Sequence, residues 1–149
     1  MATQWTAQGI TSGAVLPAAT LQSIGAAWVD YTPTLTQSAT VTKTIVIARY
    51  CQIQKTIIGQ LVLNATSAGT AGNAVQIGLP IAARTTGAVL GSGYIYDAST
   101  NTIYGGPAYA FSGTTMAMFY QTGNPWGISP NIGLANTDQL SMIFSYEIA

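Results

Sequence analysis

The sequence predicts an all-β chain: a β-sandwich or jelly roll of about eight strands with a short helix and arm at its N-terminus. Three observations predict it. Runs rich in β-branched and aromatic residues recur from Trp28 to the C-terminus, with Gly, Pro and Asn between them. The last run alternates strictly enough to fix which face is buried. Helical spacing is confined to one short stretch near the N-terminus. At 149 residues the chain is long enough for one domain with a sizeable core.

Residues 1–27 form the arm. Gly9, Ser12 and Gly13 mark loop, and LPAATLQSIG then reads as a short helix. Pro17 suits its first position, Leu21 and Ile24 share a face, and Gly25 suits its end. A helix of under about three turns does not stand alone. Leu16, Leu21 and Ile24, with Trp28 just beyond, are therefore the candidate contacts to a neighbouring subunit or other partner.

Residues 28–149 form the β domain. KTIVIARY comes first, and KTIIGQLVLNAT follows after a brief break. AVQIGLPI stops at Pro80. GAVLGSGYIYDAS and NTIYGGPAYAF flank a loop at residues 99–101, and TTMAMFYQ and DQLSMIFSYEIA complete the series. In the last segment Leu140, Met142, Phe144, Tyr146 and Ile148 share the core face. Gln139, Ser141, Ser145 and Glu147 point the other way, with Ile143 an apolar exception.

Two strands are apolar on both faces. Ile45 and Ile47 oppose Val46 and Ala48, and Ile57, Leu61 and Leu63 oppose Ile58 and Val62. A two-layer sandwich buries one face of each sheet. A second apolar face calls either for a further contact, from the helix or another subunit, or for central burial in a tighter barrel.

Charge is scarce. Charged residues are 5% of the chain, four basic against four acidic, with no histidine, against about 25% in an average domain. Zero net charge gives no long-range attraction to nucleic acid or an anionic membrane and favours association. Without histidine there is no Ser-His or Cys-His pair and no imidazole metal ligand. Asp30, Asp97, Asp138 and Glu147 are far apart in sequence, so no paired-carboxylate site is indicated. A non-enzymatic structural or binding protein, with no cofactor and no metal, is the expectation. The apolar stretches 44–48 and 57–63 are too short to span a bilayer. The N-terminus has neither the basic region nor the apolar core of a signal peptide. Cys51 is the single cysteine, so no internal disulfide forms. It reads as a small buried apolar side chain, with an intermolecular disulfide as the alternative.

Few motifs suggest chemistry. DASTNT at 97–102 has oxygens at alternate positions like a calcium loop, but Thr102 stands at the sixth position and Ala108 at the twelfth. An Asx-type turn between strands is the reading. GSG at 91–93 and GG at 105–106 read as bulges or close packing. Tyrosine dominates the second half: Tyr94, Tyr96, Tyr104, Tyr109 and Tyr120, with Trp126. Tyr94, Tyr96, Tyr104 and Trp126 are candidate platforms for a neutral glycan or another partner; alternatively they fill the core or a subunit interface. GNPWGISPN at 123–131 reads as a long ordered loop of the kind that carries partner contacts.

Two stretches, SGAVLPAATLQSIG followed by WVDYTPTLT, and ARYCQIQKTIIGQLVL followed by the GLP strand end and GYIYDASTNTIY, resemble a known family. It is a β-sandwich domain of tailed bacteriophages, especially those infecting actinobacteria, found in small virion structural proteins and minor tail or fibre proteins. Val15, Leu16, Ala18 and Leu21 match its helix. Trp28, Tyr31, Thr32, Pro33 and Thr34 match its W-x-x-Y-T-P-T segment. Arg49, Tyr50 and Lys55 match its R-Y strand, and Leu79 and Pro80 its L-P strand end. Gln54 stands where the family has a turn glycine, and Pro17 where it has a capping Ser or Thr. The resemblance covers residues 15–104 in order. It implies a non-catalytic virion protein, assembled in the reducing host cytoplasm as a homo-oligomer, often a trimer. Its partners are then its own copies and the major capsid protein or other virion proteins, as in a capsid decoration (minor capsid) protein. The alternative within the family is a tail or head fibre domain that contacts host-surface glycan.

Overall fold

Alternation of apolar and polar residues lays this chain out as strands, and the computed structural model, which describes residues 27–120 and 123–149, contains ten of them. In chain order they are β1 (Val29–Asp30), β2 (Leu35–Gln37), β3 (Ala39–Thr40), β4 (Lys43–Ile53), β5 (Thr56–Ala65), β6 (Gln76–Gly78), β7 (Val89–Asp97), β8 (Thr102–Ala110), β9 (Thr115–Met118) and β10 (Gln139–Glu147). All neighbours are antiparallel, in the order β1-β4-β5-β10-β7-β8-β9-β6-β2-β3. The described residues contain no helix. The expected helix, with Leu16, Leu21 and Ile24, lies outside them.

The strands do not separate into two sheets. They form one sheet, curled into a half-barrel so that Leu35, Ile77 and Met116 from one end join the same buried cluster as Leu61, Ile95 and Leu140 from the other. The joint is β10. It pairs along its whole length with β5 and from Gln139 to Phe144 with β7. The C-terminal segment is thus the centre of the sheet, where its strict alternation is most useful.

The predicted core face is buried at Leu140, Met142, Phe144 and Tyr146, and Ile148 is half-buried against it. Phe144 lies across β5 at Gly59, whose missing side chain leaves the space that the ring fills. The doubly apolar strands bury chiefly one face, with Cys51 the buried exception on the other. Ile57, Leu61 and Leu63 are enclosed, while Ile58 on the opposite face is 40% exposed. On β4 a register shift between Ile45 and Ile47 interrupts the alternation, and Ile45 and Val46 are exposed while Ala48 is buried. Central burial in a tighter barrel is not what the fold does with these residues. Cys51 is a buried free thiol, as read from the sequence.

One buried polar side chain ties the loops to the sheet. Gln37, fully enclosed on β2, donates from Nε2 to the carbonyls of Asn73 (3.1 Å) and Ile132 (2.8 Å), and its Oε1 accepts from the Leu134 N–H (2.7 Å). An enclosed backbone polar group needs such a partner. Gly127, in the left-handed region at φ 97°, comes close to this amide, where a side chain would collide with the Asn73 carbonyl and Gln37.

Candidate functional site: the outer face of the sheet

The side of β5, β10, β7 and β8 that turns away from the core is the best-defined surface of the molecule. Strand register places its residues in rows. Arg49, Gln60, Ile143, Ser92 and Pro107 form one row across five strands; Ile47, Val62, Ser141, Tyr94 and Gly105 form the next. Asn64, Gln139, Tyr96 and Ile103 form a third. None of the residues in these rows except Arg49 is charged; farther along β10 on the same side, Glu147 pairs with Arg84 at 2.7 Å.

The face has two ends. At one end Tyr94 and Tyr96 stand two residues apart on the same side of β7. The Tyr94 hydroxyl donates to Gln139 Oε1 (3.1 Å), and Gln139 Nε2 donates to Asn64 Oδ1 (3.2 Å). The Tyr96 hydroxyl donates to Asn101 Oδ1 (2.9 Å). Gly105 faces Tyr94 and Ile103 faces Tyr96, so one ring borders an open position and the other an exposed isoleucine. Aromatic faces held by amides can offer both stacking and hydrogen bonds to a neutral polyol.

The other end is apolar. Trp28 (47% exposed), Ile58 and Ile143 (62% exposed) border a groove of about 440 Å³ that runs across β5 and β10 to Leu90 and Gly91 on β7. Trp28 is set by the Arg49 guanidinium, 4.8 Å from its ring centroid. With the Gln60 amide turned so that its oxygen faces Arg49, Arg49 donates to it from Nε and Nη2. The lone cation of the rows is therefore held by a neutral ring and a neutral amide within the face.

The four candidate rings do not share one rim. Tyr94 and Tyr96 are on the outer face, whereas Tyr104 points inward, paired across strands with buried Ile95. Trp126 is fully enclosed, 5.9 Å from the Tyr104 ring. The loop around it is fixed from both sides: Trp126 N–H donates to Met118 (2.8 Å), and its carbonyl accepts from Val75 (3.0 Å). This segment, expected to carry partner contacts, inserts its tryptophan as a plug in the core. Sequence spacing could not show this, because an isolated Trp in a loop looks the same whichever way it points. Of the candidate interface residues, Trp28 is exposed at the apolar end; the arm residues are outside the described structure.

Folding brings together two carboxylates that are distant in sequence. Asp97 and Asp138 are both buried and close enough to influence each other. Asp97 Oδ1 accepts from the Ser99 N–H (2.9 Å), the Ser99 hydroxyl (2.6 Å) and the Thr100 N–H (3.2 Å), the Asx-type turn expected of DASTNT. Asp138 accepts from Ala98 N–H at Oδ1 (3.0 Å) and Ala135 N–H at Oδ2 (2.8 Å). Burial opposes ionisation of Asp97, but the hydrogen bonds from Ser99 and Thr100 outweigh it and hold the carboxyl below its usual range. Burial pushes Asp138 up, aided by the Asp97 charge, against the two backbone donors. Both groups close turns around β10 and β7. No group of three or more Cys, Asp or Glu able to hold a metal occurs among the described residues.

Motif residues that are separate in sequence meet in space. Trp28 stacks on Arg49, and Tyr31 meets Tyr50 edge to face at 5.9 Å. The Tyr31 N–H donates to the Ala48 carbonyl (3.0 Å). The W-x-x-Y segment and the R-Y strand thus form one interlocked edge. No known protein family, curated protein or solved structure matches this chain.

Proposed function

We propose that this chain is a non-enzymatic structural protein of a tailed-bacteriophage particle, a capsid decoration (minor capsid) protein that binds the head surface as a homo-oligomer. The observation that carries this reading is the outer face: rows of Ser, Asn, Gln and Tyr with Arg49 as their one charged residue, accompanied by exposed Ile58, Ile143 and Ile103. Exposed apolar side chains grouped on a neutral sheet favour contact with another protein surface. The interlocking of Trp28, Tyr31, Arg49 and Tyr50 adds support, since these are the residues of the phage-family resemblance. On this reading the curled sheet corresponds to the family's β-sandwich, its two halves facing across the core, and the copies form a trimer. The tethered state of Asp97 and Asp138 fits a role without catalysis. Electron cryo-imaging of purified particles of the source phage tests it, with density for the chain expected on the head. Particles that lack the protein would overturn it.

A second reading has its own observation. Tyr94 and Tyr96, anchored by Gln139 and Asn101 on the outer face, suit a fibre domain that contacts a neutral host-surface glycan. Tyr94→Ala with Tyr96→Ala separates the two readings. Lost host-cell binding with unchanged particle occupancy supports the fibre; lost occupancy with no change in cell binding supports decoration.

A further inference from the structure

We propose that Asp97 and Asp138 form a latch that fastens the 98–101 turn to the 135–138 turn and is worked by proton uptake and release. The first argument is connection. The Asp138 carboxyl has one oxygen on each turn: Oδ1 accepts from the Ala98 N–H (3.0 Å) and Oδ2 from the Ala135 N–H (2.8 Å). Asp97 organises the first turn, accepting at Oδ1 from the N–H and hydroxyl of Ser99 and from the Thr100 N–H. Both aspartates are buried, so these donors lose their acceptors only if the turns move. The second argument is strain. Each turn ends in a non-glycine residue in the left-handed region, Asn101 at φ 52° and Thr137 at φ 79°. For a β-branched threonine this conformation is rare and persists only where its surroundings impose it. The Thr137 N–H donates to the Ala65 carbonyl (2.9 Å), and the Asp138 carbonyl accepts from the Ala65 N–H (2.8 Å). The second turn is thus hinged on the end of β5, and the carboxyl bonds hold its other side. Their loss lets the strain relax, which gives the corner a second arrangement.

The third argument is charge. Among the described residues no basic side chain acts on the pair. Arg49 is engaged by Trp28 and Gln60, Arg84 by Glu147, and Lys55 lies in the turn between β4 and β5. Lys43, across from Ala65, shifts neither carboxyl. Asp30 lies across from Arg49, and the hydroxyls of Tyr94 and Tyr96 are taken by Gln139 and Asn101. Two buried carboxylates with no cation between them repel, so a single proton on the pair fastens the latch best. Burial opposes ionisation of both. At Asp97 the donors of Ser99 and Thr100 outweigh it, and the carboxyl lies below its ordinary range. At Asp138 burial, joined by the Asp97 charge, prevails, and the carboxyl lies above it. The closed latch therefore loses its Asp97 share as the pH falls through the lowered value, and its Asp138 share as the pH rises through the raised one. It is tightest between the two. Opening moves Asn101 and with it the tether of the Tyr96 hydroxyl, at the polar end of the outer face. The latch belongs to the isolated chain and does not depend on the particle.

Carboxyl carbon resonances of the full chain, followed together with amide hydrogen exchange from acid to neutral pH, test it. The pair should titrate in two steps, one on each side of the ordinary 3.8. With the intrinsic pH dependence of exchange removed, protection at Ala98, Ser99, Thr100 and Ala135 should peak between the steps. It should fall by about three- to tenfold on either side. The Tyr96 ring signals should move with the same two midpoints. Asp138→Asn should remove the fall toward neutral pH, and Asp97→Asn the fall toward acid, while the Met142 and Phe144 amides keep their protection. The wild-type titration decides the matter even if either variant fails to fold. Three results would overturn the proposal: both carboxyls titrating together at the ordinary value, turn protection that stays flat with pH, or turn protection lost only where the β10 amides lose theirs.

Discussion

The inner and outer faces of the same strands obey different rules. On β10, Phe144 is enclosed over Gly59 and its neighbour Ile143 stands 62% exposed, one residue and half a pleat away. The inner face is filled to exclusion of solvent, so each side chain there is fixed in shape by those around it. The outer face is fixed in polarity instead: hydroxyls, amides, tyrosines and a few exposed aliphatics, of which Ile58 and Ile143 border one groove with Trp28. The lesson is that an apolar residue in this sheet carries two different meanings. Inward it is stability; outward it is available contact.

The largest test of that contrast is a pair of substitutions at adjacent positions. Phe144→Ala should destabilise by about 3–5 kcal/mol, because the cavity over Gly59 cannot collapse. Ile143→Ala should cost less than about 1 kcal/mol, as surface changes do. Denaturant midpoints measure both, and equal losses would mean that Ile143 is already covered in the free protein. Next in size is Gln37→Ala. It strands the Leu134 N–H and the carbonyls of Asn73 and Ile132 inside the protein, at about 1–3 kcal/mol for a group left unsatisfied. Chemical denaturation should show the loss, and proteolysis should cut first in the loops that Gln37 holds.

A smaller effect, about 1 kcal/mol, is expected for Asp97→Asn, which exchanges a charged acceptor for a neutral one. The sign follows from the lowered carboxyl: its stabilisation is complete above the ordinary value of 3.8 and is lost as the pH falls through the lower folded value. Asp138 works in the opposite sense, since its raised carboxyl favours the fold at low pH and loses that advantage as the pH rises through the raised value. Thermal melts across acid pH should therefore show wild type and Asp97→Asn converging as the pH falls. The smallest change is a gain. Gln54 holds φ 53° in the two-residue turn between Ile53 and Thr56, where glycine has no steric cost. Gln54→Gly should stabilise by about 0.5–1 kcal/mol after the entropy of glycine is counted, read as a raised melting temperature.

The all-β class, the β10 face and the Asx-type turn at Asp97 are legible along the chain, whereas the two-layer sandwich read from it is one curled sheet. Alternation, β-branched runs and short-range hydrogen bonding are local properties, so they can be read along the chain. Between Ile53 and Thr56 the structure makes a tight hairpin by accepting a left-handed glutamine at Gln54. Where distant pieces meet is a property of the assembled sheet. The insertion of β10 between β5 and β7 made one curled sheet of what reads as two layers. The inward turn of Trp126 and Tyr104 divided four rings that look alike in sequence, leaving Tyr94 and Tyr96 alone on the outer face. Gln37 and the Asp97–Asp138 pair acquired their roles from partners up to 97 positions away. A side chain's facing is set by register, and register is a property of two strands at once, so one strand's residues cannot specify it.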